Sequence, residues 1–272
     1  MRVRRFLVVL ALASCRRSIV PQQEPAERIV ASAASAALGS ASAEPVAVVD
    51  LPATGTREVS SAARSTSPCV TQSAQKFLVE AHLRKQTQTT AAARTEWLTR
   101  LARSIRYRTE QYGYFSGFGS HAWNRRPLAN QMRAVKFEGL AVVLHERVIP
   151  ALQCVEQAID RDCRGTPYRP RSLAGARQTN TYFGGDVSNH VYGIALDIDP
   201  NDNPCCNCVE PWRSNPRCLG KKSDWQRMAM PECWVTAFEQ YGFYWLGHDE
   251  LKDTMHFEFL GDPSQAGATL AQ

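Results

Sequence analysis

The apolar residues of this 272-residue chain repeat with a helical spacing in its first half. One predicted helix has apolar residues at intervals of three, four and seven, namely Leu98, Leu101, Ile105 and Tyr112. A second predicted helix covers roughly 128–160, with an apolar stripe made of Leu140, Val143, Leu144, Val148 and Leu152. Pro150 lies inside this run and should kink or divide it.

After residue 165 the apolar residues alternate with small or polar ones, which is the period of a strand. Ile194, Leu196 and Ile198 alternate with small or acidic residues, and Phe257 and Phe259 alternate with polar ones. A short helix over 232–241 and a further strand over 243–246 are also predicted. Helices followed by strands indicate an α+β fold, with a small antiparallel sheet packed against the N-terminal helices.

The N-terminus has the pattern of an export signal. Basic residues precede the apolar run 6–13, whose eight residues are far fewer than the ~20 of a membrane-spanning helix. The run ends in Leu12-Ala13-Ser14-Cys15, which resembles the bacterial lipobox, so 1–15 is predicted to be a lipoprotein signal peptide. An ordinary secretory signal with an incidental Cys15 is the alternative, and both interpretations predict export.

The composition divides the remaining chain into a tether and a domain. Residues 16–66 are rich in Ala, Ser and Pro and contain no aromatic residue, so they have little to bury and are predicted to be a disordered tether. Residues 67–265 form the predicted domain. The formal net charge of +6 favours anionic partners such as cell-wall polymer, but no basic-aromatic module for nucleic acid is present.

Cysteine usage agrees with export. Nine cysteines occur, and eight remain if Cys15 is lipidated, an even number that suggests disulfides. Cys154 and Cys163 are the simplest local pair, and the cluster from Cys205 to Cys233 has room for two bridges. A thiolate metal cluster around 205–208 is the alternative, although the spacing lacks a clean pair of C-x-x-C units.

Two short motifs carry the candidate chemistry. On one straight strand His190 and Asp197 would lie more than ~20 Å apart, so the chain must turn back between them, and Gly193 accommodates such a turn. His256 begins a second strand that can reach the same point. Two imidazoles and a carboxylate leave a fourth position open for water, which is the ligand pattern of catalytic zinc. Asp253, in a turn before His256, is placed to accept a proton from that water.

These motifs resemble the zinc peptidases of the D-alanyl-D-alanine carboxypeptidase and L-alanyl-D-glutamate endopeptidase group. The pattern S-x-H-x-x-G-x-A-x-D is filled by Ser188, His190, Gly193, Ala195 and Asp197, and D-x-M-H-F-E by residues 253–258. The resemblance implies a hedgehog/D-Ala-D-Ala peptidase-like fold whose sheet carries zinc. It also implies zinc ligation by His190, Asp197 and His256, with Asp253 as general base.

The resemblance further implies an arginine that holds substrate or stabilises the oxyanion. Arg171, in an R-x-x-x-G segment, is the first candidate, with Arg177 and Arg169 as alternatives. The Cys-rich insert, residues 205–233, departs from the family pattern. It is either a loop beside the cleft that shapes specificity or a rigid flap without substrate contact.

The sequence therefore predicts an exported, membrane-anchored bacterial lipoprotein of the cell envelope. Its predicted activity is zinc-dependent hydrolysis of peptidoglycan stem peptides, as a D,D-carboxypeptidase or an L-Ala-D-Glu type endopeptidase. A monomer is expected. One alternative is a wall-binding lipoprotein that contains zinc but lacks turnover. Another is a disulfide-rich structural lipoprotein in which His190 and His256 bind no metal.

Overall fold

A computed structural model describes residues 69–81, 90–180, 187–208 and 212–266, so the predicted signal peptide and tether lie outside the described residues. The helices of the described part are α1 (Lys76–Glu80), α2 (Ala91–Tyr112), α3 (Ile149–Asp162) and α4 (Glu232–Gln240). Its strands are β1 (Met132–Phe137), β2 (Leu140–His145), β3 (Leu173–Ala174), β4 (Ala195–Ile198), β5 (Phe243–Trp245) and β6 (His256–Phe259). This arrangement confirms the α+β class. None of these helices combines the length and apolar character needed to cross a membrane.

The first half of the predicted helix over 128–160 is wrong, because β1 and β2 form an antiparallel hairpin there. Glu138 and Gly139 connect the two strands, and both have positive φ, at 49° and 82°. Two successive positive φ angles give a tight turn whose twist matches that of the strands it joins. Pro150 does not kink a helix but lies in the first turn of α3, where its missing N–H costs nothing.

A four-stranded antiparallel sheet, in the order β3-β4-β6-β5, forms the centre of the domain. In its register Leu196 lies opposite Phe257, and Asp197 lies opposite His256. One face of the sheet is therefore apolar, and the other carries the candidate ligands. All residues of β4 and β6 are buried, so the polar face is enclosed as well.

The main core lies between this sheet and the helices. The ring of Phe238 in α4 stacks on Phe257 of β6 with 4.1 Å between centroids, and it also meets the edge of Phe137 in the hairpin. The predicted helix around Leu101 and Ile105 is confirmed as α2, and both side chains are buried in the same core. The Thr90 hydroxyl caps the start of α2 by accepting a hydrogen bond from the Ala93 N–H at 3.1 Å.

The eight cysteines from Cys69 onward lie at disulfide distance in four pairs. The pairs are Cys69–Cys154, Cys163–Cys233, Cys205–Cys208 and Cys206–Cys218. The predicted Cys154–Cys163 bridge is wrong: nine residues along a helix correspond to about 13 Å, too far for a disulfide. Two bridges do form within the insert, as expected, and they leave no thiolate there for the alternative metal cluster.

Candidate metal centre

The strand register brings a carboxylate and an imidazole together. Asp197 and His256 occupy directly opposite positions on β4 and β6, on the same face of the sheet. Side chains opposite each other on antiparallel strands are near neighbours. The His256 Nδ1 atom lies 2.7 Å from Asp197 Oδ1. Both residues are buried, with 3% of His256 and 9% of Asp197 exposed.

A short turn before β4 supplies the second imidazole. His190 lies in a 3₁₀ turn, Asn189–Tyr192, that ends at Gly193 with a φ of 66°. A Cβ at Gly193 would press on Met132 and on the backbone of His145, so this turn requires glycine. The chain reverses as the sequence predicts, and His190 Nε2 lies 3.2 Å from both His256 Nδ1 and Asp197 Oδ2.

The outer nitrogen of each ring has its own hydrogen bond. His190 Nδ1 lies 2.6 Å from the carbonyl oxygen of Gly175, and His256 Nε2 lies 3.0 Å from Glu258 Oε1. A carbonyl or carboxylate oxygen accepts, so each outer nitrogen is the donor. With a neutral ring, the lone pairs of His190 Nε2 and His256 Nδ1 point at the common centre, as metal ligation requires.

The electrostatics of the site favour a cation. Burial raises the pKa of Asp197, but the two imidazoles outweigh it and hold this pKa well below its ordinary value. Burial lowers the pKa of His256, but Asp197 and Glu258 outweigh it and raise this pKa to about 10. The negative charge of Asp197 and Glu258 that favours a protonated His256 would also favour a divalent ion, and the ring would have to lose that proton in order to bind the ion.

The donor set fits zinc. The three nearest separations between donor atoms are 2.7, 3.2 and 3.2 Å. Zinc bonds of about 2.0–2.1 Å in tetrahedral geometry place neighbouring ligand atoms about 3.3 Å apart. Among the described residues this is the one His-Asp-His group whose donor atoms converge. Two nitrogens and one oxygen leave a coordination position for a further molecule, the pattern of catalytic rather than structural zinc.

Asp253 lies three residues before the candidate ligand His256, in the turn that leads into β6, as predicted. Its carbonyl accepts the His256 N–H at 3.4 Å. Its carboxylate is not part of the convergent group but lies beside Cys205 and Cys208, with one oxygen within 4.8 Å of both sulfurs. The side chain is largely buried, with 9% of the residue exposed. A role of Asp253 in proton transfer therefore stays a prediction.

The candidate arginines lie in different surroundings. Arg171 forms an ion pair with Asp202 in a surface cavity and has a side chain that is 76% exposed. Arg177 lies closer to the centre: its backbone N–H donates to the His190 carbonyl at 3.1 Å, and its guanidinium donates to Ser188 Oγ at 3.2 Å. Arg169 is exposed. The geometry thus brings Arg177, rather than Arg171, next to the metal-binding motif.

Two residues support the position of His190 in ways that the sequence analysis did not predict. Arg108 of α2 is buried and donates to the Val187 carbonyl at 3.1 Å and to Asn189 Oδ1 at 2.8 Å, which anchors the turn that carries His190. Gly175 supplies the carbonyl that orients the imidazole. No local pattern identifies Arg108, because its partners are about eighty residues away. Gly175 is the glycine of the R-x-x-x-G segment that begins at Arg171, and that glycine was the available signal.

An α+β fold that holds two imidazoles and a carboxylate on one sheet face, with an open coordination position, has the donor arrangement that is typical of metal-dependent hydrolases. Residues 184–259 match the family model described as D-alanyl-D-alanine carboxypeptidase. This match confirms the predicted resemblance to zinc peptidases over that segment. Comparisons with curated proteins and with solved structures gave no match.

Proposed function

We propose that this chain is a zinc-dependent peptidase that hydrolyses peptide bonds in peptidoglycan stem peptides. The observation that carries the proposal is the convergence of His190 Nε2, His256 Nδ1 and the Asp197 carboxylate within 3.2 Å of one another. The family match over residues 184–259 supports a peptidase acting on peptidoglycan in general. D,D-carboxypeptidase and L-Ala-D-Glu type endopeptidase activity are the two specific forms proposed.

Each residue has a proposed role. His190, Asp197 and His256 would hold the ion, and the Gly175 carbonyl and Glu258 would keep the two rings oriented. When bound, zinc lowers the pKa of a coordinated water to about 7 and polarises the scissile carbonyl. Asp253 would accept the proton of the attacking water and deliver it to the departing amine.

An arginine would complete the site by binding a substrate carboxylate or the developing oxyanion. Arg171 was the first candidate from the sequence. The hydrogen bonds of Arg177 to Ser188 and to the His190 backbone favour Arg177 instead, because a guanidinium acts on substrate only close to the reacting bond. Testing Arg171→Ala beside Arg177→Ala would decide between them.

The cellular setting is part of the proposal. The signal peptide 1–15 with its lipobox Cys15 and the tether 16–66 would place the domain 67–265 in the cell envelope, anchored to a membrane by lipid. The four disulfide pairs support an exported protein, because such bonds persist in oxidising compartments.

Purified protein loaded with zinc should cleave muropeptides, and His190→Ala and Asp253→Asn should reduce hydrolysis by at least about 100-fold. His121→Ala and Asp162→Asn, both on the exposed surface, are matched controls and should retain activity.

Mass spectrometry of uncross-linked and cross-linked substrates would identify the bond. Loss of terminal D-alanine indicates a carboxypeptidase, and a cut after L-alanine indicates an endopeptidase. Full activity of both site variants, or binding without any cleavage by the wild type, would contradict the proposal.

A further inference from the structure

The Cys-rich insert is hydrogen-bonded to the turn that contains Asp253. We call residues 249–254 the Asp253 turn. Successive main-chain hydrogen bonds join the two segments: Cys206 N–H donates to the Lys252 carbonyl at 3.1 Å, and Asn207 N–H donates to the Leu251 carbonyl at 2.8 Å. The Thr254 N–H and hydroxyl both donate to the Pro204 carbonyl, at 3.3 and 3.1 Å. Residues 204–207, at the start of the insert, therefore lie along residues 251–254 of the turn.

The Cys205–Cys208 disulfide packs directly against Asp253. Cys205 is 1% exposed and pairs with Asp253 in an isolated antiparallel bridge. Both sulfurs lie within 4.8 Å of a carboxylate oxygen of Asp253. Cys205 also joins Leu251 and Met255 in a small apolar cluster separate from the main core. The disulfide thus limits the space in which the carboxylate can lie.

The turn depends on such support because part of its backbone is unfavourable. Lys252 has a φ of 51°, a conformation that residues with a Cβ rarely adopt unless neighbouring contacts hold them there. Its ammonium group forms a partly buried ion pair with Asp224 of the insert, at 2.9 Å. The insert therefore contacts the Asp253 turn through backbone, side chains and a disulfide.

We infer that the segment 204–208, closed by the Cys205–Cys208 disulfide, is the positioning element for Asp253. This inference rests on the proposed function in one respect, namely that Asp253 transfers the proton. The insert would then be neither a plain specificity loop nor an independent flap. It would act on catalysis through the placement of one carboxylate, without contributing to metal binding, because β4, β6 and Gly175 orient the ligands.

The first test is the double variant Cys205→Ser with Cys208→Ser. A carboxylate displaced by about 1 Å lowers turnover steeply, so kcat should fall between about 10-fold and 100-fold. KM for muropeptide should stay within about twofold, and zinc affinity, measured by competition with a chromophoric chelator, should not change. The matched control is Cys69→Ser with Cys154→Ser, which removes a disulfide elsewhere in the chain and should leave kcat unchanged.

A second variant keeps the inference testable if the double variant folds poorly. Thr254→Val preserves the shape of this fully buried side chain but removes the hydroxyl bond to Pro204. We expect kcat to fall about tenfold, while Thr254→Ser, which keeps the hydroxyl, should restore it. Wild-type kcat in both Cys205→Ser/Cys208→Ser and Thr254→Val, or an equal loss of zinc affinity, would overturn the inference.

Amide hydrogen exchange separates this inference from the proposed function. The Cys206, Asn207 and Thr254 amides should exchange faster in the double variant than in the wild type, whether or not any muropeptide is cleaved. If the wild type cleaves no muropeptide, the proposed function fails. Amide hydrogen exchange then remains as the test of whether the disulfide-closed segment 204–208 holds the Asp253 turn in place. Unchanged exchange of these amides would overturn the inference even in an active enzyme.

Discussion

Each of the two candidate imidazole ligands is oriented by a hydrogen bond from its outer nitrogen, the one that faces away from the metal centre. The His190 ring donates to a main-chain carbonyl, whereas the His256 ring donates to the carboxylate of Glu258, which is fully buried. A carboxylate is the stronger acceptor and also makes the ring a better electron donor. Of these two acceptors only the Glu258 carboxylate belongs to a side chain. A substitution can therefore remove the partner of His256 directly, but not the partner of His190.

Glu258→Gln should weaken zinc binding by between about 10-fold and 100-fold, because the amide keeps an oxygen acceptor but loses the negative charge. Competition with a chromophoric chelator measures the dissociation constant. Glu96→Gln, in an exposed ion pair on α2, is the matched control and should bind zinc like the wild type. An unchanged dissociation constant in Glu258→Gln would show that Glu258 does not support the metal centre.

At the scale of elements, the hairpin β1–β2 helps to build a site that contains none of its residues. The Val143 carbonyl accepts the Ala176 N–H at 2.8 Å, and the Gly193 carbonyl accepts the His145 N–H at 2.8 Å. The hairpin thereby fixes the segment with the Gly175 carbonyl and the turn that precedes β4. Both segments determine where the His190 ring lies.

Gly175→Ala tests this coupling. The added Cβ would meet the Val143 carbonyl and the side chain of Val142, so the segment must move away from the hairpin. We expect a loss of about 1–3 kcal/mol in the free energy of unfolding. Weaker zinc binding should follow, because the carbonyl that orients His190 moves with the segment. Denaturant unfolding and chelator competition measure the two effects.

Gly165→Ala is the control for that substitution, since nothing lies within 4 Å of the added Cβ and the site is exposed. Its stability should stay within about 0.5 kcal/mol of the wild type. If Gly175→Ala behaves like Gly165→Ala in both measurements, the hairpin does not position the metal centre.

Comparison of the predicted and observed elements shows which helices and strands the periodicity of apolar residues can predict. The helix around Leu101, the helix before Tyr241 and the strands at 195–198 and 256–259 follow the predicted patterns closely. The hairpin was missed because its apolar residues also fit helical intervals. The positive φ angles of Glu138 and Gly139 separate the two interpretations. The approach of Asp197 and His256 was expected from the two motifs and their family resemblance, but the register that pairs them depends on contacts between strands about sixty residues apart.

At the scale of the whole molecule, disulfides join segments that are distant in sequence. Cys163 at the end of α3 is bonded to Cys233 in α4, and the sequence separation is 70 residues. Cys205 and Cys208 are separated by only 3. Closing a longer loop removes more conformational freedom from the unfolded chain, so the two bonds should differ in what they contribute to global stability.

Replacing Cys163 and Cys233 by alanine should lower the free energy of unfolding by about 4 kcal/mol. Replacing Cys205 and Cys208 by serine should lower it by about 2 kcal/mol. Guanidinium unfolding at fixed zinc concentration measures both. Equal losses, or a larger loss for the short loop, would contradict the loop-length argument and would indicate that the insert stabilises the whole domain rather than one turn.

The sequence by itself determined the donor types, their order and the α+β class, because strand alternation and a reversing glycine are local properties. It also indicated the zinc-peptidase resemblance, which residues 184–259 confirm. The tertiary structure decided the hairpin, the cysteine pairs, the Gly175 carbonyl as the partner of His190, and Arg108 as the anchor of the turn that carries His190. These depend on contacts between distant segments, which neither periodicity nor spacing along one strand can specify.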